Sequence, residues 1–165
     1  MRVREGSVTQ QAATPADATP PQAIGHIDHV GILVRRENID NYVALLSGVL
    51  GITFDEPIVN DDAGVIAVLS WGSGFEIVAP VREEGRYWER LQHFGEGTCT
   101  IVFGTKDIDA AIARAKAHDV DLDWEVKLEA DVPWLARFKT FREARLRAFP
   151  DEFAATLMVS QIEPV

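Results

Sequence analysis

The feature that most constrains this chain is an internal repeat. Asn38-Ile39-Asp40 and Asp107-Ile108-Asp109 stand 69 residues apart, and about a dozen residues beyond each lies a small turn residue with an apolar follower, Gly51-Ile52 and Asp119-Val120. Each triplet has a capping side chain ahead of an apolar stripe: Ile39, Tyr42, Val43 and Leu46 fall at i, i+3, i+4 and i+7, and Ile108, Ala111, Ile112 and Ala115 do the same. Each helix also follows a run dense in β-branched residues, Ile27 to Val34 in one case and Thr98 to Thr105 in the other. A duplicated unit of strand, helix and further strands is the simplest source of such a pattern.

In the first unit, alternation predicts strands from Thr53 to Val59, Gly64 to Trp71 and Phe75 to Ala79 after the helix, separated by Asn60-Asp61-Asp62 and Gly72-Ser73-Gly74. In the second it predicts Val120 to Val126, Phe138 to Arg147 and Ala154 to Ile162, with Phe149-Pro150-Asp151-Glu152 as the last turn. The connector Val81 to Gly97 holds Tyr87, Trp88 and Leu91 at the spacing of a short amphipathic helix, and Lys127 to Arg137 reads as a loop in which Trp134 packs. Two βαβββ modules, about 24–80 and 97–164, therefore make up one domain over 24–165. Periodicity alone leaves an ordinary α+β sandwich equally open.

Composition narrows the partners. The chain has 165 residues, 47% of them apolar, which suffices for one core and not for two large domains. Its formal charge of -10 would repel phosphate backbones and anionic lipid, so neither nucleic acid nor a membrane surface is expected as a partner. The single cysteine, Cys99, excludes an internal disulfide framework and a cysteine-rich metal site and fits a cytoplasmic setting. Residues 1–23 lack the apolar core of a signal peptide and, with Val8 as the only large apolar residue from Ser7 to Gln22, read as a flexible tail.

Local sequences carry a more specific likeness. His26-Ile27-Asp28-His29-Val30-Gly31-Ile32-Leu33-Val34 resembles the opening strand of glyoxalases and epimerases, and Trp71-Gly72-Ser73-Gly74-Phe75-Glu76-Ile77-Val78-Ala79-Pro80 the closing strand of their first module. Phe94-Gly95-Glu96-Gly97-Thr98-Cys99-Thr100-Ile101-Val102-Phe103 followed by Asp107-Ile108-Asp109 is similar to their entry into the second module, above all in methylmalonyl-CoA epimerases. The likeness spans roughly His26 to Pro164 and is to the vicinal-oxygen-chelate superfamily, which also includes bleomycin-resistance proteins. It implies an α+β fold whose two modules form a cupped, half-open barrel-like sheet, commonly as a homodimer.

In metal-dependent members of that superfamily each module supplies one ligand from its first strand and one from its last. Carried over, the resemblance places His29 and Glu76 at the first module's ligand positions and Thr100 and Ser160 at the second module's. Two hydroxyls in place of an imidazole and a carboxylate leave too few donors for a closed centre, so the expected cofactor is none or a weakly held divalent metal on His29 and Glu76. Glu76 interrupts an otherwise apolar strand and would need a partner or a raised pKa when buried. Glu143 reads either as a further acid in the cup or as a surface ion pair with its arginine neighbours. Trp71 and Phe103 belong to an aromatic supply able to line a pocket.

Two functions follow. In the first, an isomerase, epimerase or lyase acts beside the carbonyl of a small oxygenated or acyl substrate, with Glu76 as base and His29 as acid or donor. In the second, a metal-free protein of the bleomycin-resistance kind sequesters a small molecule. The carboxylate beside an imidazole favours the first, and Thr100 and Ser160 in place of ligands favour the second.

Overall fold

A computed structural model describes residues 25–127, 133–148 and 155–165. The expected tail at 1–23, the turn at 149–152 and the packing of Trp134 lie outside the described residues and side chains. The first module consists of β1 (His26–Leu33), α1 (Ile39–Leu50), β2 (Ile58–Asn60), β3 (Val65–Ser70) and β4 (Phe75–Pro80). After the connecting helix α2 (Arg86–Phe94), the second module repeats the order with β5 (Gly97–Gly104), α3 (Ile108–Ala117), β6 (Leu122–Lys127), β7 (Phe138–Leu146) and β8 (Thr156–Pro164).

The strands form one sheet in the order β2-β3-β4-β1-β5-β8-β7-β6. Within each module the first strand runs parallel to the last, β1 with β4 and β5 with β8, and the remaining pairs are antiparallel. The antiparallel pairing of β1 with β5 joins the modules at the centre of the sheet, giving the curled half-barrel expected of two βαβββ units. No described helix is long and apolar enough to cross a membrane.

One face of the sheet buries the helices. Ile39, Tyr42, Val43 and Leu46 of α1 pack on Val34, Val68, Ile77 and Ala79, while Ile108, Ala111 and Ile112 of α3 pack on Ala144, Leu146 and Val159. The apolar stripes that predicted the helices are thus the surfaces that hold them. The opposite, cup face is partly closed by α2, whose Leu91 and Tyr87 pack with Leu33, Ala67, Val78 and Cys99. Leu91 is 2% exposed, and burial of a side chain of that size contributes about 1.5–3 kcal/mol.

Four local expectations are corrected. The strand predicted from Thr53 to Val59 shrinks to Ile58–Asn60, because Asp55 N bonds Leu69 O outside a regular ladder and only three residues pair with β3. Asn38 does not cap α1: its backbone is already helical at the end of a 3-10 turn (Arg36–Asn38), and its amide donates to Glu96 Oε1 at 2.8 Å. Asp107 does cap α3, accepting from Ala110 N at 2.9 Å. Part of the Lys127 to Arg137 loop is a 3-10 turn, Pro133–Arg137. The fourth correction concerns Cys99, which alternation sets opposite to Thr100: the β1–β5 register shifts between Gly31 and Ile32, leaving Cys99 as an extra residue that packs with the cup-face cluster.

Gly74 locks the first module together. It sits at φ 68°, its carbonyl accepts from Val30 N at 2.8 Å, and a Cβ there would meet the carbonyl oxygen of Asp28 at 2.5 Å. Gly74→Ala should therefore cost about 1–3 kcal/mol in urea unfolding, from backbone strain and the clash together. Gly72→Ala, where an added Cβ meets nothing within 4 Å, should stay within about 0.5 kcal/mol.

Candidate functional site

A second bulge builds the site. The β1–β5 register shifts between Ile27 and His29, so Asp28 is the extra residue of β1. Adjacent residues of a regular strand point to opposite faces, but a bulge re-aims them. Here His29 Nδ1 lies 2.8 Å from Asp28 Oδ1, which fixes the ring through its own neighbour in sequence and leaves Nε2 directed into the cup. His26, at the strand's start, is 67% exposed and stays out of the site.

Two carboxyls face that nitrogen. Glu143 Oε1 of β7 lies 3.5 Å from His29 Nε2, and Glu76 Oε2 of β4 lies 3.9 Å away. The three side chains line a cavity of about 870 Å³, together with Trp71, Thr100, Trp124, Phe141 and Met158 among others. Trp71 extends an aromatic wall, with ring centroids 4.7 Å from Phe138 and 6.2 Å from Phe141.

Burial sets the protonation states. Glu143 Oε1 has no hydrogen-bond partner among the described residues, and burial raises the Glu143 carboxyl to about 7, with His29 opposing the shift and the charges of Glu76 and Asp28 adding to it. Burial raises Glu76 as well, against the pull of His29. For His29, burial favours the neutral ring, yet the bond to Asp28 and the charges of Glu143, Glu76 and Asp28 outweigh it and lift the imidazolium to about 9. At neutral pH the cup thus holds a cationic imidazole between two carboxyls, of which Glu143 is poised to change protonation.

The expected residues divide accordingly. His29, Glu76, Glu143, Thr100 and Trp71 come together around the cavity. Phe103 does not: it lies on the opposite face, packed against the α3 core with Val159 and Ala144. Ser160 points to the cup side but is fully buried opposite Glu143 in the β7–β8 ladder, with its Oγ unpartnered, and does not line the cavity. The ladders also correct its alignment. Gly31, two residues beyond His29, pairs with Glu76, whereas Val102, two beyond Thr100, pairs with Met158. Met158, not Ser160, stands where Glu76 stands in the first module.

The second module offers a neutral hydroxyl and a thioether, and no group of three or more His, Cys, Asp or Glu able to hold an ion occurs among the described residues. The donors do not fit a four-ligand centre. Sequence reasoning underrated Glu143, although strand alternation carries the signal: Phe141, Glu143 and Arg145 share one face, and Arg142 faces away to Glu125 and Asp109.

The two-module cup is similar in fold to solved structures that include methylmalonyl-CoA epimerases. The Mycobacterium tuberculosis enzyme superposes with a TM-score of 0.62 at 22% identity, over 84% of this chain and 87% of that one. A Streptomyces coelicolor methylmalonyl-CoA epimerase variant in complex with 2-nitronate-propionyl-CoA gives 0.63 at 22% identity, over 82% and 95%. A hypothetical protein from Bacillus halodurans gives 0.64 at 20% identity, over 82% and 93%. No family model matches the sequence, and no curated protein does.

The shifts fix a pH dependence of stability. Glu143, raised from 4.5 to about 7, contributes stability that is complete below pH 4.5 and is lost as pH rises through 7. His29, raised from 6.5 to about 9, contributes fully below 6.5 and loses it through 9. Urea midpoints should therefore fall from pH 5 to 9. Glu143→Gln should flatten the fall below pH 7 and move the upper limb to lower pH, since one charge supporting the imidazolium is gone.

Proposed function

We propose that this chain is an isomerase of the epimerase type, moving a proton at the carbon beside the carbonyl of a small acyl substrate. The observation that carries the reading is His29, held by Asp28, with Nε2 between two buried carboxyls in the wall of one large cavity. Epimerisation needs a base on one face of the carbon and an acid on the other, and Glu76 and Glu143 come from strands of different modules.

Glu76, as carboxylate, takes the α-proton: the C–H bond breaks, an O–H bond forms, and charge develops on the carbonyl oxygen. His29 Nε2–H donates to that oxygen and stabilises it. Glu143, as carboxylic acid, then gives its proton to the opposite face of the carbon, breaking its O–H bond as the new C–H forms. His29 stands between the two carboxyls and can return the proton from Glu76 to Glu143. Because the cation here is an imidazolium, the cycle asks for no metal ion. The homodimer expected for this fold belongs to the same reading, and the exposed Leu45, Val49 and Leu50 of α1 offer it an apolar surface.

The test is exchange of the α-proton in deuterium oxide, followed by proton NMR on short acyl thioesters, with methylmalonyl-CoA, the ligand of one neighbouring structure, among them. Wild type should exchange at least one thioester well above the uncatalysed rate. Glu76→Gln and Glu143→Gln should each lower the rate by about 10²–10⁴-fold with folding intact. Tight binding without exchange would instead make the cup a sequestering pocket, the reading that its lining of Trp71, Trp124 and Phe141 supports.

A further inference from the structure

The cup has a side chamber whose chemistry the mechanism above does not use. About 50 Å³ of space lies between α2, β5, β6, β7 and β8, lined by Arg86, Arg90, Arg145, Trp124, Thr100 and Met158 among others. Arg86, Trp124, Thr100 and Met158 also line the main cavity, so the chamber opens from it. Three guanidiniums in one corner are unexpected in a chain with 26 acidic and 16 basic residues.

Several arginines answer carboxylates: Arg142 meets Asp109 and Glu125, Arg137 meets Asp55, and Arg147 meets Asp123. Arg86 differs. Its guanidinium lies 4.8 Å from the Tyr87 ring centroid and 4.6 Å from that of Trp124, its hydrogen bond goes to Tyr87 Oη at 3.3 Å, and it has no carboxylate partner among the described residues. Stacking on two aromatic faces fixes the plane of the fork and leaves its remaining N–H groups for an incoming acceptor. Arg145 shares the carboxylate of Asp123 with Arg147. Burial lowers the pKa of Arg90, with Arg145 and Arg86 adding to the shift and Cys99 and Tyr87 opposing it.

The position of this corner matters. Thr100 and Met158, the residues that replace metal ligands in the second module, form part of its wall, and Arg145 pairs directly with Met158 across the β7–β8 ladder. We infer that the chamber is an anion subsite in which Arg86, assisted by Arg90 and Arg145, holds a carboxylate of the substrate. Guanidinium charge thus does here what a metal ion would do where ligands occupy those two rungs. A carboxylate is the group to expect, because its two coplanar oxygens match the fixed fork. The inference rests on the cup being the substrate site and assigns specificity for acyl compounds bearing a free carboxylate.

The test separates the subsite from the catalysis. Isothermal titration of the wild type with malonate and with inorganic phosphate should show malonate binding more tightly. Arg86→Gln should weaken malonate at least tenfold, Arg86→Lys less so, and Arg36→Gln, an equal charge change at an exposed residue that lines neither cavity, should leave it unchanged. Circular dichroism confirms that each variant folds. Equal affinity in wild type and Arg86→Gln would overturn the inference, as would phosphate binding more tightly than malonate. In the exchange assay, Arg86→Gln should raise KM for a carboxylated thioester at least tenfold and leave an uncharged thioester unaffected. A rise for both substrates would refute carboxylate recognition while leaving proton transfer in place. Absent exchange with malonate binding still lost in Arg86→Gln would keep the subsite and remove the enzyme.

Discussion

The site depends on one irregularity, the bulge that makes Asp28 an extra residue in β1. In a regular strand the imidazole of His29 would enter the cup without a partner of its own, and burial would hold it neutral. With Asp28 turned to the same side, the ring keeps its proton at Nδ1 and its charge at neutral pH. That charge tempers the burial of Glu76 and Glu143, each of which is pulled down by His29 and pushed up by desolvation. The bulge in turn needs room, which Gly74 provides by carrying no Cβ where the carbonyl of Asp28 passes. Gly31 serves the other side: a Cβ there would meet Glu76 Oε2 at 3.3 Å and Thr100 Cβ at 3.2 Å.

Duplication explains the frame and divergence explains the contents. Both modules place their first and last strands side by side, so residues on matching rungs face one another across the β1–β5 seam. The first module retains an imidazole and a carboxylate on those rungs. The second has Thr100 and Met158 there and supplies its carboxyl from β7 instead, at Glu143. The cup consequently holds one imidazole and two carboxyls without a four-ligand centre, and its cationic corner is built of guanidiniums.

The parts of this arrangement legible in the sequence are those carried by periodicity and repetition. The two helix stripes, the succession of strands and helices and the cap at Asp107 follow from spacing, while the resemblance is what placed His29 and Glu76. What escapes is whatever breaks the period. The bulges at Asp28 and Cys99 reset the alternation of β1 and β5, and no residue type marks either of them. The resemblance set Ser160 at the last strand's ligand position, yet the ladder sets Met158 rather than Ser160 against Val102. Phe103 drew attention as an aromatic, although its parity with Ile101 already set it apart from Thr100 and Val102. Glu143 was obscured by Arg142 beside it, whose ion pairs lie on the other face of the sheet.

The central claim is that a buried carboxylic acid on β7 stands ready to give its proton beside His29 at neutral pH. Carbon-13 NMR of the glutamate side-chain carboxyls, assigned by comparison with Glu143→Gln, measures it directly in the folded protein. One carboxyl resonance, missing in the variant, should titrate with a midpoint near 7, and the imidazole of His29 should remain protonated until about 9. If the Glu143 carboxyl instead titrates near its ordinary value of 4.5, it is a plain carboxylate at neutral pH and the acid that the account requires is not there.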